Sequence, residues 1–315
     1  MAILMNTEAR IFVAGHKGMV GSAIVRKLNK EGYSCIIGKT INELDLTQQA
    51  AVNTFFEQMK PDYVFLAAAK VGGIWANHSY PADFLYTNLA IQTNVIKAAH
   101  DNKVKKLLFL GSSCIYPKIC PQPILEEYLL TGPLEPTNEA YAVAKIAGLK
   151  MCQFYKRQYG ESFISVMPTN LYGPNDTFDL ATSHVIPALI RKFHEAKTRN
   201  IPSVEVWGTG KPRREFLHVD DLAEACFFLM NHYEGDDHMN VGTGKDTTIA
   251  ELATAIKNIT GYQGKIIFNP DKPDGSPQKL LDTKKVNALG WKPRISLMDG
   301  LLDTYHWYVS SKSGY

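Results

Sequence analysis

A chain of 315 residues is long enough for one large globular domain or two small ones. Its composition, 45% hydrophobic and 21% charged, is ordinary for a folded protein. Basic residues number 34 and acidic residues 31, which leaves a net charge of only +3. So small a charge argues against nucleic acid or an anionic membrane as the main partner.

The chain contains five cysteines, an odd number with no C-x-x-C spacing. They stand at positions 35, 114, 120, 152 and 226. This pattern argues against a zinc site and a disulfide framework, and it predicts a cytoplasmic location with no bound metal. The longest apolar runs, such as 63–69, have strand length and fall short of the roughly 20 residues of a membrane helix. The apolar patch at the N-terminus is too short for a signal-peptide core.

The first half of the chain alternates between apolar runs of strand length and helical patterns. The predicted strands are 11–14, 35–37, 63–67, 106–110 and 163–167. The predicted helices are 19–31, 47–60, 81–101 and 138–159. Alternation of this kind implies right-handed βαβ units, and continuously apolar strands imply a sheet buried on both faces. We therefore predict an α/β fold with a doubly wound parallel sheet.

The chain changes character after Pro168, where Pro, Gly and Asn cluster in PTNLYGPND. Beyond this loop we predict helices at 183–198, 221–231, 249–260 and 297–309, and short strands at 204–207 and 216–219. We expect the helix at 221–231 to pack on the first sheet. Two discontinuous domains follow from this: 1–171 with 215–242 would bind a nucleotide, and 172–214 with 243–315 would form a smaller mixed α/β substrate lobe.

A G-x-x-G-x-x-G motif follows the first predicted strand and begins the first helix. It consists of Gly15, His16, Lys17, Gly18, Met19, Val20 and Gly21. The first glycine permits a tight turn, the second lets the backbone approach a pyrophosphate, and the third lets helix and strand pack closely. The helix N-terminus attracts the phosphates. The motif thus predicts a dinucleotide site of the Rossmann type rather than a merely structural turn.

The residues after the second predicted strand bear on the choice of dinucleotide. An acid about twenty residues after the motif would favour NAD, because it would bind the ribose 2′-hydroxyl. Residues 34–41 contain no acid, and Lys39 stands there instead, with Lys17 inside the glycine loop. Two ammonium groups favour the 2′-phosphate of NADP, unless both lysines are merely solvated. Asp45 would either reach the adenine or cap the helix predicted from Thr47.

The sequence Tyr141-Ala142-Val143-Ala144-Lys145 places a phenol and an ammonium one helical turn apart. We expect Lys145 to lower the pKa of Tyr141 and to hold the nicotinamide ribose. Tyr141 would then exchange a proton with a substrate oxygen while hydride moves at the neighbouring carbon. Ser112, at the end of the strand at 106–110, would donate to the same oxygen. The alternative for this serine is a loop hydroxyl bound to backbone.

These three features together resemble the extended short-chain dehydrogenase/reductases that act on nucleotide sugars. The resemblance runs from about residue 10 to about residue 307. It is carried by AGHKGMVGSAI, LAAAKVGGI, FLGSSCIYPK, LEPTNEAYAVAKIAG, PTNLYGP, SHVIPAL, EFLHVDD and KPDGSPQKLLD. FLGSSCIYPK and SHVIPAL resemble the family's branch of NADPH-dependent 3,5-epimerase/4-reductases of GDP-4-keto-6-deoxy-D-mannose. The resemblance implies NADP as cofactor, a GDP-sugar substrate, and a homodimer formed by two long helices per subunit.

Catalytic roles follow from this resemblance. It implies that Ser112, Tyr141 and Lys145 serve reduction, and that Cys114 and His184 serve two epimerisations. Carbons 3 and 5 flank the C4 ketone, so their protons are acidified. Inversion needs a base on one face and an acid on the other, and a thiolate and an imidazolium suit these tasks. Without the resemblance, Cys114 would be a small buried residue and His184 an ordinary residue at a helix start.

Binding residues also follow from the resemblance. Cofactor contacts beyond the glycine loop are expected at Lys39, Asp45, Leu46, Leu66, Ala67, Ala68, Lys145, Pro168, Asn170, Leu171 and His184. The GDP-sugar is expected at Lys192, Trp207, Arg214 and Asp274. Arg214 could clamp the pyrophosphate and Trp207 could stack on guanine. The alternative is that Trp207 belongs to the core and Lys192 is solvated.

Two other readings remain open. Another epimerase, reductase or dehydratase of the superfamily would keep the same fold, but a dehydratase typically has an acid pair after the strand-end serine. Here Cys114 follows, and no acid occurs until Glu126. A non-catalytic NADP-sensing protein would usually lose the tyrosine or the lysine of the motif, and this chain retains both.

Overall fold

The computed structural model describes residues 5–180, 182–272 and 274–312. The strands are β1 Ile11–Ala14, β2 Ile36–Ile37, β3 Tyr63–Leu66, β4 Lys106–Leu110, β5 Phe163–Pro168, β6 Asn170–Tyr172, β7 Ser203–Trp207, β8 Arg213–His218, β9 Met239–Val241, β10 Asp246–Thr248, β11 Lys265–Asn269 and β12 Gln278–Lys279. The helices are α1 Met19–Lys30, α2 Gln49–Met59, α3 Ile74–Ser79, α4 Pro81–Asp101, α5 Glu139–Tyr159, α6 Val185–Thr198, α7 Val219–His232, α8 Ile249–Thr260, α9 Lys284–Ala288 and α10 Leu297–Lys312. Short 3₁₀ turns occur at Ser113–Ile115 and Glu126–Tyr128.

The main sheet has six strands in the order β2-β1-β3-β4-β5-β9, and all its pairings are parallel. Successive side chains of β1 pack on opposite faces of the sheet. Those of Ile11 and Val13 pack in one cluster with residues of α1 and α7, whereas those of Phe12 and Ala14 pack with residues of α2, α4 and α5. A sheet buried on both faces explains why its strands are continuously apolar. The predicted doubly wound α/β fold of the Rossmann type is confirmed.

The turn after β1 lies at a topological switch point of the sheet, because the next two strands of the chain, β2 and β3, lie on opposite sides of β1. Open parallel sheets bind ligands at such a switch point. Gly15 has a positive φ of 84° there, and a Cβ on it would lie 2.9 Å from the backbone N of Ala68. The close approach of the two loops therefore requires glycine at this position.

A second group of strands is built around β8. This strand pairs in parallel with β6 and β12 and antiparallel with β10, while β7 and β11 form a separate parallel pair. Side chains of α6, α8 and α10 pack with these strands in one cluster that includes Tyr172, Phe193 and Leu301. Non-local segments of the chain thus meet beside the carboxyl edge of the main sheet.

Most predicted elements are confirmed, and the differences have local causes. The helix predicted from Thr47 begins at Gln49, because the Asp45 carboxylate accepts hydrogen bonds from the backbone N and Oγ1 of Thr47 at 2.9 and 2.7 Å. The strand predicted at 216–219 is β8, which begins three residues earlier. Strands β6, β9, β10, β11 and β12 were not predicted. Four of them have only two or three residues and carry too little periodicity, whereas β11, with five residues, was missed outright.

None of the helices in the described ranges combines the length and apolar character that a membrane crossing requires.

Candidate active site

The glycine loop forms a cradle between β1 and α1. A Cβ on Gly21 would lie 2.1 Å from the carbonyl O of Gly15, so this glycine lets the helix start against the turn. Gly18 immediately precedes α1, and the first turn of this helix contains no acidic side chain. The positive end of the helix is therefore open to an anion. This cradle fits the pyrophosphate of a dinucleotide.

The ribose end of the cradle carries more charge than the sequence argument assumed. Lys17 is exposed in the loop, and Lys39 follows β2 as predicted. However, Nζ of Lys39 lies 3.6 Å from the carboxylate of Glu43. Hydrogen bonds from the Thr40 backbone and hydroxyl lower the pKa of Glu43 to about 2, so this group is an anion. Residues 34–41 contain no acid, but Glu43 lies just beyond them and partly neutralises Lys39.

Several other predicted cofactor residues lie at the same sheet edge, and some of their polar groups already have protein partners. Leu66 ends β3, and the backbone N of Ala67 donates to the carbonyl of Ala14. Pro168 ends β5, and Leu171 lies in β6. The carbonyl of Leu46 accepts from Asn94 Nδ2 at 3.0 Å, and Asn170 Nδ2 donates to the carbonyl of Glu215 at 2.8 Å. The carboxylate of Asp45 accepts from Thr47. His16 packs its ring against Gly38.

The predicted Ser–Tyr–Lys set comes together at the end of β4. Ser112 precedes a 3₁₀ turn, and its hydroxyl lies near enough to the phenol of Tyr141 to act on its pKa through hydrogen bonding. Burial raises the pKa of Tyr141, the charge of Cys114 raises it further, and the bond to Ser112 lowers it only in part. The expected lowering of this pKa by Lys145 is wrong in direction. Tyr141 is held as a neutral phenol, which is a proton donor.

Lys145 is 4% exposed and donates from Nζ to the carbonyl of Leu110 at 2.8 Å. Its ammonium also lies 5.7 Å from the centre of the Tyr141 ring. Burial lowers the pKa of Lys145 to about 7, because the charged form loses hydration. The side chain is thus held at the carboxyl end of β4, one helical turn from the phenol.

Cys114 lies two residues after Ser112, in the 3₁₀ turn, and its backbone N donates to Ser112 Oγ at 3.2 Å. Two side chains that the sequence argument missed donate to its sulfur. They are Asn138, with Nδ2 at 3.3 Å, and Lys279, with Nζ at 3.6 Å. Lys279 is 165 residues away in the chain. No local spacing could have indicated it.

His184 immediately precedes α6, and its side chain does not cap that helix. Desolvation by the surrounding protein lowers the pKa of His184, although the residue is exposed to solvent. The neutral imidazole is therefore favoured. A lowered pKa also makes the protonated ring a stronger acid while reducing its population at neutral pH.

The four predicted substrate residues lie close together, with Trp207 at the end of β7, Arg214 in β8, Lys192 on α6 and Asp274 in the loop after β11. Trp207 is 55% exposed and is not a core residue, and Nζ of Lys192 lies 5.7 Å from the centre of its ring. The carboxylate of Asp274 accepts from the backbone N and Oγ1 of Thr209 at 2.7 Å each, and its carbonyl accepts from Arg214 Nη2 at 3.4 Å. Burial lowers the pKa of the Arg214 guanidinium, and Asp274 opposes the shift. The arrangement is an open aromatic face bordered by cations.

Comparison with known proteins agrees with this geometry. A dinucleotide-binding sheet with a Ser–Tyr–Lys set defines a short-chain dehydrogenase/reductase, and the family model described as "NAD dependent epimerase/dehydratase family" matches residues 11–242. GDP-L-fucose synthase 1 of Arabidopsis thaliana is 60% identical over 98% of this chain and 95% of its own length. The chain belongs to the NAD dependent epimerase/dehydratase family and, within it, to the GDP-L-fucose synthases.

Two solved structures are also similar over nearly the whole chain. A GDP-6-OMe-4-keto-L-xylo-heptose reductase from C. jejuni has a TM-score of 0.93 at 42% identity and covers 98% of this chain and 99% of its own. A GDP-L-fucose synthetase from Naegleria fowleri bound to NADP has a TM-score of 0.91 at 27% identity and covers 99% and 97%. The cofactor of this chain is NADP, for which the cradle and the two lysines provide the fit.

The Lys39–Glu43 pair predicts how the cofactor preference responds to charge. Lys39→Glu should lower the ratio of kcat/KM with NADPH to kcat/KM with NADH about tenfold or more, since it removes one charge-assisted contact. Glu43→Gln should raise the ratio, because it frees Lys39. As a control, Lys105→Glu changes an exposed lysine paired with Asp62 at the opposite end of the sheet and should leave the ratio unchanged. Equal efficiency with both cofactors in the parent enzyme would contradict the assignment.

The lowered pKa of Lys145 predicts that burying this side chain destabilises the fold by an amount that depends on pH. In the unfolded chain this lysine stays protonated up to its ordinary value of 10.5, whereas the folded protein releases the proton above about 7. The destabilisation is therefore full below about pH 7 and disappears as the pH rises towards 10.5. Relative to the parent, Lys145→Met should gain more in Tm at about pH 6 than at about pH 10, as measured by thermal unfolding without cofactor. A difference in Tm that does not vary with pH would refute this.

Proposed function

We propose that this chain catalyses NADPH-dependent 3,5-epimerisation and 4-keto reduction of GDP-4-keto-6-deoxy-D-mannose to GDP-L-fucose. The observation that carries the proposal is the position of a sulfur beside a hydroxyl pair. Cys114 follows Ser112 by two residues, and the hydroxyl of Ser112 acts on the phenol of Tyr141. The loop after β4 and the start of α5 thus present a candidate base and two proton donors to the same substrate.

The reduction uses the buried phenol. Bound NADPH supplies the hydride to C4 of the sugar. Tyr141 donates its proton to the C4 oxygen, and the raised pKa of this phenol keeps the proton in place until that transfer. Ser112 donates a hydrogen bond to the same oxygen, and Lys145 binds the ribose beside it.

The epimerisations use the same donors in another way. Removing a proton from C3 or C5 places negative charge on the C4 oxygen, where Ser112 and Tyr141 can stabilise it. The Cys114 thiolate takes the proton from one face, and protonated His184 returns one from the other. One pair of donors therefore supports both the inversion and the reduction.

The nucleotide of the substrate would lie against the second group of strands. Trp207 offers an exposed ring for guanine, and Lys192 and Arg214 offer cations for the pyrophosphate. The carboxylate of Asp274 is engaged by Thr209, so we assign it to shaping the loop. This fits our proposed division, in which 1–171 and 215–242 bind the cofactor, and 172–214 and 243–315 bind the GDP-sugar.

A cytoplasmic location also remains a prediction, based on the five free cysteines.

A second candidate is a reductase that acts on a GDP-linked 4-keto sugar without inverting it. The similarity to the C. jejuni heptose reductase favours this alternative. Both candidates use Tyr141 in the same way. They differ in whether the protons at C3 and C5 leave the sugar.

The deciding experiment supplies the ketone and NADPH in heavy water. The parent enzyme should place deuterium at C3 and C5 of the product. Cys114→Ser should lose this exchange and still oxidise NADPH, because a hydroxyl is a far weaker acid than a thiol. Tyr141→Phe should lower hydride transfer at least about 10²-fold, the usual contribution of a positioned acid. Mass spectrometry and the NADPH absorbance report the two steps separately.

Undiminished deuterium in Cys114→Ser would remove this cysteine from the mechanism. A product without deuterium from the parent enzyme would favour the reductase alternative.

We also propose a homodimer through α4 and α5. The exposed side of α5 carries an apolar stripe at helical spacing, formed by Val143, Ala147, Met151 and Phe154. Phe154 is 56% exposed, and Tyr86 on the neighbouring α4 is 70% exposed. A second copy would bury these surfaces in a four-helix contact.

Light scattering after size exclusion tests the dimer. Phe154→Glu should shift the protein towards the monomer, because it places a charge inside the contact. Ile201→Glu changes an exposed aliphatic residue outside α4 and α5 and should leave the dimer intact. A monomeric parent protein would refute the proposal.

A further inference from the structure

We propose that Lys279 is a positioning residue that holds Cys114 in its thiolate form, assisted by the amide of Asn138. The inference rests on the proposed role of Cys114 as the base in epimerisation and extends it to two residues without an assigned role. It concerns the free enzyme, before any sugar binds.

The geometry around the sulfur is that of an anion site. Nζ of Lys279 lies 3.6 Å from Sγ, and Nδ2 of Asn138 lies 3.3 Å from it. Both groups are donors, and one carries a full charge. A neighbouring ammonium stabilises a thiolate relative to a thiol, and an N–H donor aimed at the sulfur has the same effect.

Other charged and titratable groups near the sulfur do not replace this cation. Tyr141 stays neutral because burial raises its pKa. Lys118 and Glu135 line the same cavity, but they pair with each other at 3.0 Å. Cys120 also feels the charge of Lys279, yet burial has the larger effect and raises the pKa of Cys120.

The position of Lys279 is fixed by the strands that support it. It lies in β12, in register with Arg214 of the parallel neighbour β8. The next two backbone N–H groups are also held: that of Leu280 donates to Gln122 Oε1 at 2.9 Å, and that of Leu281 donates to Glu215 Oε2 at 3.0 Å. The ammonium is therefore presented to the sulfur by a backbone that is held by β8 and by the two bonds that follow Lys279.

The proposed step balances simply. In the free enzyme the thiol of Cys114 loses its proton to water, and the resulting thiolate is paired with the ammonium of Lys279. When the sugar binds, the thiolate takes a proton from carbon and becomes a thiol. Lys279 does not transfer a proton itself, so its effect should be visible in the reactivity of the sulfur without substrate.

The test measures the rate at which iodoacetamide alkylates Cys114 in the full chain without substrate, resolved by mass spectrometry of the peptide. Lys279→Met should slow alkylation at neutral pH about tenfold and move the pH profile of the rate upwards, because only the thiolate reacts. Lys279→Arg should restore most of the rate, since it retains the charge. Lys284→Met is the matched control, because Lys284 is 88% exposed and pairs with Asp282. Its alkylation rate should equal that of the parent.

Asn138→Asp gives an independent variant of nearly the same shape. A carboxylate in place of the amide would repel the thiolate and should also slow alkylation, while an aspartate is still favourable before a helix. Deuterium incorporation at C3 and C5 should fall with the alkylation rate in both variants, and Tyr141-dependent hydride transfer should fall less.

Two outcomes would overturn the inference. Parent-like alkylation in Lys279→Met, with a raised KM for the GDP-sugar, would make Lys279 a substrate ligand only. Parent-like alkylation in both Lys279→Met and Asn138→Asp would exclude any role of this pair at the sulfur. Failure of the proposed function is distinguishable, because it would show as absent deuterium exchange in the parent enzyme whatever the alkylation rates.

Discussion

The site depends on one constraint, which is that parallel strands end at a common edge. The glycine loop follows β1, the segment with Ala67 and Ala68 follows β3, and Ser112 follows β4. Because every strand of the main sheet is parallel, these three loops meet without a dedicated contact to bring them together. The approach of Gly15 to Ala68 sets how closely they can lie. Chemistry at this edge therefore follows from topology before any individual side chain is considered.

A buried carboxylate in β8 joins the main sheet to the second group of strands. Glu215 is fully buried and accepts from the backbone N of Gly244 at 2.7 Å and of Leu281 at 3.0 Å, and burial raises its pKa. It thereby links the loop after β9 in the main sheet to the segment after β12. Arg214 precedes it, and Lys279 precedes Leu281 by two residues. A group that is costly to bury thus connects the strand that carries Arg214 to the segment that carries Lys279.

The sequence was informative wherever a local pattern sets the structure. The glycine motif, the spacing of Tyr141 and Lys145, and the long helix at 81–101 depend on turns and periodicity within one segment, and the structure reproduces them. The interaction of Lys39 with Glu43 was missed because Glu43 lies just beyond the window in which an acid was sought. Lys279 was missed for a deeper reason: its contact spans 165 residues and is created by strand pairing between short, weakly patterned strands. The raised pKa of Tyr141 likewise reflects burial, which residue spacing does not reveal.

Burial has opposite effects on the pKa values of Tyr141 and Lys145, which lie one helical turn apart. It favours the uncharged form of every group it encloses, so it keeps the proton on Tyr141 and weakens the hold of Lys145 on its own. A phenol kept neutral can donate to a developing oxyanion, whereas a cysteine can act as a base only as its thiolate, which a nearby positive charge stabilises. Cys114 obtains such a partner from Lys279 in the distant strand β12, outside the helix that carries Tyr141 and Lys145. In the proposed mechanism an acid and a base share one pocket, because desolvation keeps Tyr141 neutral and the charge of Lys279 stabilises the thiolate of Cys114.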